Sequence, residues 1–181
     1  MIRIGNGDRT AYKMLVDRHL RDFLAFAARI IGDRTEAEDV MQEAFVRVWK
    51  NAGKWDQGRK ARFTTWFYRI VMNLCIDTQR RRKPASDIDA AAEMAAGGPL
   101  PDDQLSDRQK AGQVAEVMKM LPERQRLAMT LCYLQEQGNK ETAEILGVSI
   151  GALESLLVRG RARMAELLQD HRDELLKEKM R

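Results

Sequence analysis

The sequence predicts an all-α protein: two small helical domains joined by a flexible acidic linker, the second domain a helix-turn-helix. Three observations lead there. Apolar residues recur at steps of three and four along most of the chain, with no β-hairpin signal between them. Residues 84–107, PASDIDAAAEMAAGGPLPDDQLSD, hold three of the four prolines and six acidic residues with no basic one, a linker composition. From Asn139, NKETAEILGVSIGALESLLVRGRARM lays out a short helix, a turn containing glycine and a longer helix. The expected limits are 1–83 for the first domain, 84–107 for the linker and 108–181 for the second domain.

The first domain opens with a helix over residues 10–30, where Met14, Leu15, Leu20, Phe23, Leu24, Phe26, Ala27 and Ile30 mark the apolar side. Gly32 and Asp33 break it. Thr35 then offers an N-cap and Glu38 the reciprocal half of a capping box. Ala37, Val40, Met41, Ala44, Phe45, Val48 and Trp49 form one stripe over three turns, with Asp39, Gln42, Glu43 and Lys50 opposite. Residues 51–62, NAGKWDQGRKAR, lack periodicity and read as a loop. The next helix runs from Phe63 to Arg82 and is ended by Pro84.

In the second domain, residues 108–120 form a helix with Val114, Val117, Met118 and Leu121 on one side. Pro122 suits the first position of the next helix, which carries Leu127, Ala128, Leu131, Cys132 and Leu134 and is broken at Gln137-Gly138-Asn139. Lys140–Leu146 is a short helix. Gly147 can take the positive φ of a helix end, and Ser149 can cap a helix from Ile150 to about Leu168. Ile150, Leu153, Leu156 and Leu157 are expected inward.

Composition narrows the function classes. The chain has 181 residues, 44% hydrophobic and 32% charged, with a net charge of +4. That fits one ordinary domain or two small ones, and a globular rather than a disordered chain. No run approaches the roughly 18 apolar residues of a membrane span, so no membrane insertion is expected, and MIRIGNGDRT lacks the apolar centre of a signal peptide. Cys75 and Cys132 read as lone thiols of a reducing, cytoplasmic setting. His19 and His171, without a Cys-x-x-Cys, offer no metal site, and no cofactor is expected. No nucleophile–base pair or phosphate-binding glycine loop supports an enzyme.

The charge is unevenly placed. Arg59 to Lys83 holds eight basic residues and one acidic one, a net of +7, directly before the acidic linker. In TWFYRIVMNLCIDTQRRRKP the apolar residues Trp66, Phe67, Ile70, Val71, Leu74 and Cys75 can face a core. Trp66, Arg69, Asn73, Asp77, Arg80 and Arg81 share a second strip. Asn and Asp in mid-helix lower helix propensity and need a tertiary bond or a ligand; amides beside arginines suit a nucleic acid backbone with exposed base edges. A plain solvated face is the alternative. In the helix-turn-helix, Glu154, Ser155, Val158 and Arg159 lie outward. Arg159 can meet a guanine edge or a phosphate, Glu154 can accept from a cytosine amine, Ser155 can do either, and Arg161 and Arg163 add phosphate contacts. An ordinary helical hairpin with a charged face is the alternative there.

GDRTEAEDVMQEAFVRVWK, then FTTWFYRIVMNLCIDTQRRRK, then LPERQRLAMTLCYLQ with the helix-turn-helix, resemble bacterial RNA polymerase sigma factors of the extracytoplasmic-function (ECF) group, in the sigma-70 family. The resemblance covers about residues 8–83 and 108–170. It implies a promoter-specificity subunit, without catalytic activity, that binds the −10 element with its first domain and the −35 element with its second. It implies docking of Asp39, Gln42, Glu43 and Arg47 on the β′ clamp coiled coil of the polymerase core. It places the displaced −10 strand against Trp55, Arg59, Lys60 and Arg62 in the loop and against Asn73 and Asp77, with Arg80, Arg81 and Lys83 on phosphates. Trp55, Phe63 and Trp66 are the aromatic candidates for base stacking, at least two of them expected in the core. Glu154 stands where several relatives carry a basic residue, which leaves the promoter sequence open. The surface around Leu127, Leu131 and Leu134 faces either the β flap or the core. An anti-sigma protein is the further implied partner. The competing reading is a free-standing helix-turn-helix regulator of duplex DNA, which has no use for the Ala37–Lys50 helix.

Overall fold

The computed structural model describes residues 1–55, 62–82 and 105–179; for 105–111 and 170–179 it describes the backbone alone. Every element among them is helical. The chain divides into two compact units, Met1–Gly97 and Gly98–Arg181. The acidic linker, up to residue 104, and Arg59, Lys60 and Lys83 lie outside the described residues.

The first unit packs three long helices: α2 (Arg9–Ile31), α3 (Arg34–Asn51) and α4 (Phe63–Arg82), with a short α1 (Ile2–Gly5) and a 3₁₀ turn (Ala52–Lys54) at one end. Phe23, Phe26, Ile30 and Ile31 of α2, Met41, Phe45 and Val48 of α3, and Phe67, Val71 and Cys75 of α4 are buried together. Phe67 is the hub: its ring centroid lies 4.5 Å from Phe23, 5.0 Å from Phe45 and 5.3 Å from Phe63. Rings at such spacing contribute beyond their area burial. Met14 and Leu20 of α2 are exposed rather than in the core, and Trp49, at the end of the α3 stripe, is 37% exposed with its ring edge-on to Tyr12.

The cap of α3 is Asp33, not Thr35. Its carboxylate accepts from the Glu36 amide at 2.9 Å, and Arg34 is the first helical residue. A charged acceptor at that position satisfies an orphan N–H and favours the helix dipole. Glu38 makes no reciprocal cap; it pairs with Arg34 at 3.1 Å.

The second unit contains α5 (Leu105–Lys119), α6 (Glu123–Met129) running into a π-helical turn (Thr130–Leu134), α7 (Asn139–Leu146) and α8 (Ile150–Lys179). Its core is Val117, Met118, Leu121, Ala128, Met129, Ala143, Leu153, Leu156, Leu157 and Met164. Three expected boundaries shift, and one expected inward residue faces out. Helix α5 begins at Leu105, inside the stretch read as linker. Pro122 is the residue before α6 rather than its first, because its ψ of 140° is extended. Helix α8 runs past Leu168 to Lys179. Ile150 is 50% exposed, since the inward row of α8 begins one turn later, at Leu153.

Candidate nucleic-acid interface

Two exposed helical strips carry the polar residues singled out above. On α4, Arg69, Asn73, Asp77 and Arg81 follow one another at four-residue steps and all are exposed, as is Arg80. The inner side of the same helix is apolar, so core packing presents this row outward. Asn73 and Asp77 lie about 6 Å apart along the axis. Among the described residues neither side chain has a hydrogen-bond partner; Asp77 gives only its backbone carbonyl, to Arg81 Nε at 3.3 Å. The tertiary bond that could have explained two poor helix formers in mid-helix is thus not found there.

At the N-terminal end of α4 three half-buried aromatic rings cluster. Trp55 lies 5.2 Å from Trp66 and 6.1 Å from Phe63, and Phe63 lies 5.9 Å from Trp66. Phe63 also packs on His19 at 5.3 Å. Burial, with Arg18 adding to it, holds the His19 pKa below its ordinary value. None of the three rings is fully buried, so the expectation that at least two belong to the core is not met: all three are half-exposed.

The basic run divides. Arg80, Arg81 and Arg82 are all exposed, but the Arg82 guanidinium is bonded back to the domain. Its Nε donates to Glu36 Oε1 at 2.7 Å, its other nitrogens meet the same carboxylate and, at 3.3 Å, the Ile31 carbonyl. Gln79 Nε2 donates to the Ile30 carbonyl at 2.6 Å. Together they fasten the end of α4 to the α2–α3 corner. A helical wheel carries the signal: Gln79 and Arg82 continue the inward row of Val71 and Cys75, not the row of Asn73 and Asp77.

On α3, Asp39, Gln42 and Glu43 are exposed and Arg47 is half-exposed, its Nε 2.9 Å from Glu43 Oε1. An open groove of about 610 Å³ separates α3 from α4. Asp39, Glu43 and Arg47 line one wall, Thr78, Arg81 and Arg82 the other. Arg81 thereby belongs both to the α4 strip and to the groove beside the α3 residues, a junction that sequence spacing alone did not reveal.

In the second unit the turn is built as its residues require. Gly147 has φ +65° and ψ 36°, the left-handed conformation that closes α7. Ser149 Oγ accepts from the Ala152 amide at 3.2 Å and caps α8. Gly160 lies buried where α8 crosses α6; a Cβ there would stand 3.0 Å from Met129 Cγ. Leu153, Leu156 and Leu157 face inward, and Glu154, Ser155, Val158, Arg159, Arg161 and Arg163 are exposed. Arg161 donates to the Tyr133 hydroxyl at 2.8 Å, and Arg163 pairs with Glu166 at 3.0 Å. Leu127 and Leu131 are core, whereas Tyr133 and Leu134 are exposed on the π-helical turn.

This pair of units is shared with known proteins. Sigma-70 region 2 matches residues 15–84, and sigma-70 region 4 matches residues 111–164. The ECF RNA polymerase sigma factor SigW of Bacillus subtilis is 32% identical over 178 residues, covering 93% of this chain and 94% of SigW. The chain belongs to the ECF sigma factors of RNA polymerase. The ECF sigma-E factor of Escherichia coli is 31% identical over 169 residues, 88% of this chain and 87% of that one. The structure of CnrH in complex with the cytosolic domain of CnrY aligns with a TM-score of 0.69 at 28% identity, over 93% of this chain and 94% of that chain. That of RpoE with the anti-sigma factor NepR from Bartonella quintana shares the fold, with a TM-score of 0.66 at 23% identity, over 88% of this chain and 97% of that one. An ECF sigma factor directs promoter recognition by RNA polymerase and is not, as a family, an enzyme. Among the described residues no helix is long and apolar enough to cross a membrane.

Proposed function

We propose that residues 1–83 dock this sigma factor on the polymerase core and hold the melted −10 element, that residues 84–107 connect, and that residues 108–181 bind the −35 element. The reading rests above all on the exposed Asn73 and Asp77, whose side chains have no partner among the described residues, set between a half-open aromatic cluster and the outward Arg80 and Arg81. A displaced strand laid along α4 presents base edges to the row and phosphates to the arginines. The Asn73 amide can pair with a splayed base, the Asp77 carboxylate accepts from a base amine, and Arg80, Arg81 and Lys83 hold phosphates. Trp55, Arg59, Lys60 and Arg62 receive the flipped base; unstacking it costs a few kcal/mol, offset by stacking on Trp55, Phe63 or Trp66.

Asp39, Gln42, Glu43 and Arg47 meet the β′ clamp coiled coil, and the exposed surface of the π-helical turn faces the β flap. Glu154, Ser155, Val158 and Arg159 read −35 base edges, while Arg161 and Arg163 contact phosphates. The protein performs no chemistry of its own and works in the cytoplasm. An anti-sigma factor holds it inactive; CnrH, at 28% identity, is solved in complex with the cytosolic domain of another protein, CnrY. Purified core polymerase supplemented with this protein should initiate from a cognate promoter in a genomic run-off screen. Failure to rescue specific initiation at any promoter would overturn the reading.

A further inference from the structure

The outward face of α8 consists of two parallel rows. Ile150, Glu154 and Val158 form the first, a carboxylate between two aliphatic side chains that are 50% and 56% exposed. Gly151, Ser155 and Arg159 form the second. Hydrogen-bond donors are scarce at the centre of this face. Ser155 Oγ donates its single hydrogen to the Gly151 carbonyl at 2.9 Å, so only lone pairs point outward from it. Glu154 has no ion pair among the described residues, and a carboxylate only accepts. The first outward donor is Arg159, one turn on, whose Nε is itself held by the Ser155 carbonyl at 3.2 Å.

We propose that Glu154, beside the acceptor-only Ser155, makes one position of the −35 element selective for cytosine. This rests on α8 being the −35 recognition helix. In the major groove guanine shows two acceptors and thymine an acceptor and a methyl group, and neither complements a carboxylate. Adenine shows an amine flanked by the acceptor N7. Cytosine shows an amine whose other neighbour on its own edge is only C5–H, the guanine O6 of the pair lying on one side alone, so it opposes a carboxylate least. The order at that position is cytosine, then adenine, with guanine and thymine excluded. Ile150 and Val158 place no competing donor beside the carboxylate.

The test uses holoenzyme assembled from core polymerase and the full chain, selected on duplex promoter fragments with a randomised −35 region. Wild-type holoenzyme should enrich cytosine over guanine about fivefold or more at one position, the lower end of what one good base contact gives. Glu154→Gln supplies a donor and an acceptor that match adenine N6 and N7, so that position should switch to adenine while the others keep their preferences. Glu154→Ala should flatten that position alone. Because Glu154 is exposed and has no ion pair among the described residues, both variants should melt with the wild type. A preference profile left unchanged by Glu154→Gln, or a uniform change at every position, overturns the proposal and leaves the −35 assignment of α8 standing. Wild-type holoenzyme that selects no −35 sequence at all overturns both.

Discussion

Replacing Arg80, Arg81 and Arg82 singly by alanine should produce two different phenotypes from three consecutive arginines. Arg80 and Arg81 are outward, Arg81 spending only its Nε on the Asp77 carbonyl; if they hold phosphates, each replacement should lower the slope of log affinity against log salt by about 0.7, the increment for a single-strand contact. Arg82 is committed to Glu36 and to the Ile31 carbonyl, with side-chain exposures of 31% for Arg82 and 35% for Glu36. A pair of that exposure lies between a surface ion pair, worth up to about 1 kcal/mol, and charged hydrogen bonds worth about 1.5–3 kcal/mol. Arg82→Ala should therefore cost the first domain about 1–2 kcal/mol. At roughly 4–8 °C per kcal/mol for a domain of this size, the melting temperature should fall by about 4–16 °C. Glu36→Gln should show a smaller fall of the same kind. The assays are holoenzyme binding to a melted −10 fragment across a salt series, and thermal unfolding of the isolated chain. If Arg82→Ala lowers the salt slope as its neighbours do and leaves the melting temperature unchanged, the internal role argued for Arg82 is wrong.

Three further outcomes follow from other parts of the structure. Gly147→Ala places a Cβ with no heavy atom within 4 Å, so its penalty is that of the left-handed backbone alone; it should destabilise the second domain by about 1 kcal/mol, read by circular dichroism, and an unchanged stability would show that the turn relaxes. Asn73→Ala should slow open-complex formation, followed by permanganate footprinting, more than it weakens closed-complex binding, whereas equal losses in both would assign Asn73 a purely structural part. Burial pushes the Cys75 thiol from 9.0 and, with Asp22 adding to it, the Tyr68 hydroxyl from 10.0, each up to about 12. The folded domain then keeps protons that the unfolded chain loses first, so its stability, intact below about pH 9, should decline as pH rises through 9 to 12; a melting temperature flat across that window would contradict the burial of both groups.

Helical periodicity made the fold legible because each amphipathic stripe has one partner surface to choose: the α3 stripe from Ala37 to Val48 and the α8 row of Leu153, Leu156 and Leu157 are buried as read. The turn was equally legible, since Gly147 and Ser149 act through local backbone chemistry that no distant contact can override. Caps and helix ends were less so. Asp33 and Thr35 are both good caps two residues apart, and only the path of the chain decides between them. The site was read to the level of faces. Asn73, Asp77, Glu154 and Ser155 are outward because their neighbours are apolar. What spacing could not supply was pairing across elements: Arg82 with Glu36 is 46 positions apart, Arg161 with Tyr133 28 apart, and the direction of the Ser155 hydroxyl depends on its rotamer.

The aromatic cluster at the start of α4 has a consequence for how the molecule can be watched. All three tryptophans, Trp49, Trp55 and Trp66, belong to the first unit, and the second contains tyrosine as its only strong ultraviolet fluorophore. Indole emission is therefore a built-in reporter of one half of the protein, silent about the other. Trp55 and Trp66 stand edge to face at 5.2 Å, close enough for their excited states to couple. Unfolding of the first unit can therefore be followed without a label, by its own tryptophans and with no indole signal from the second.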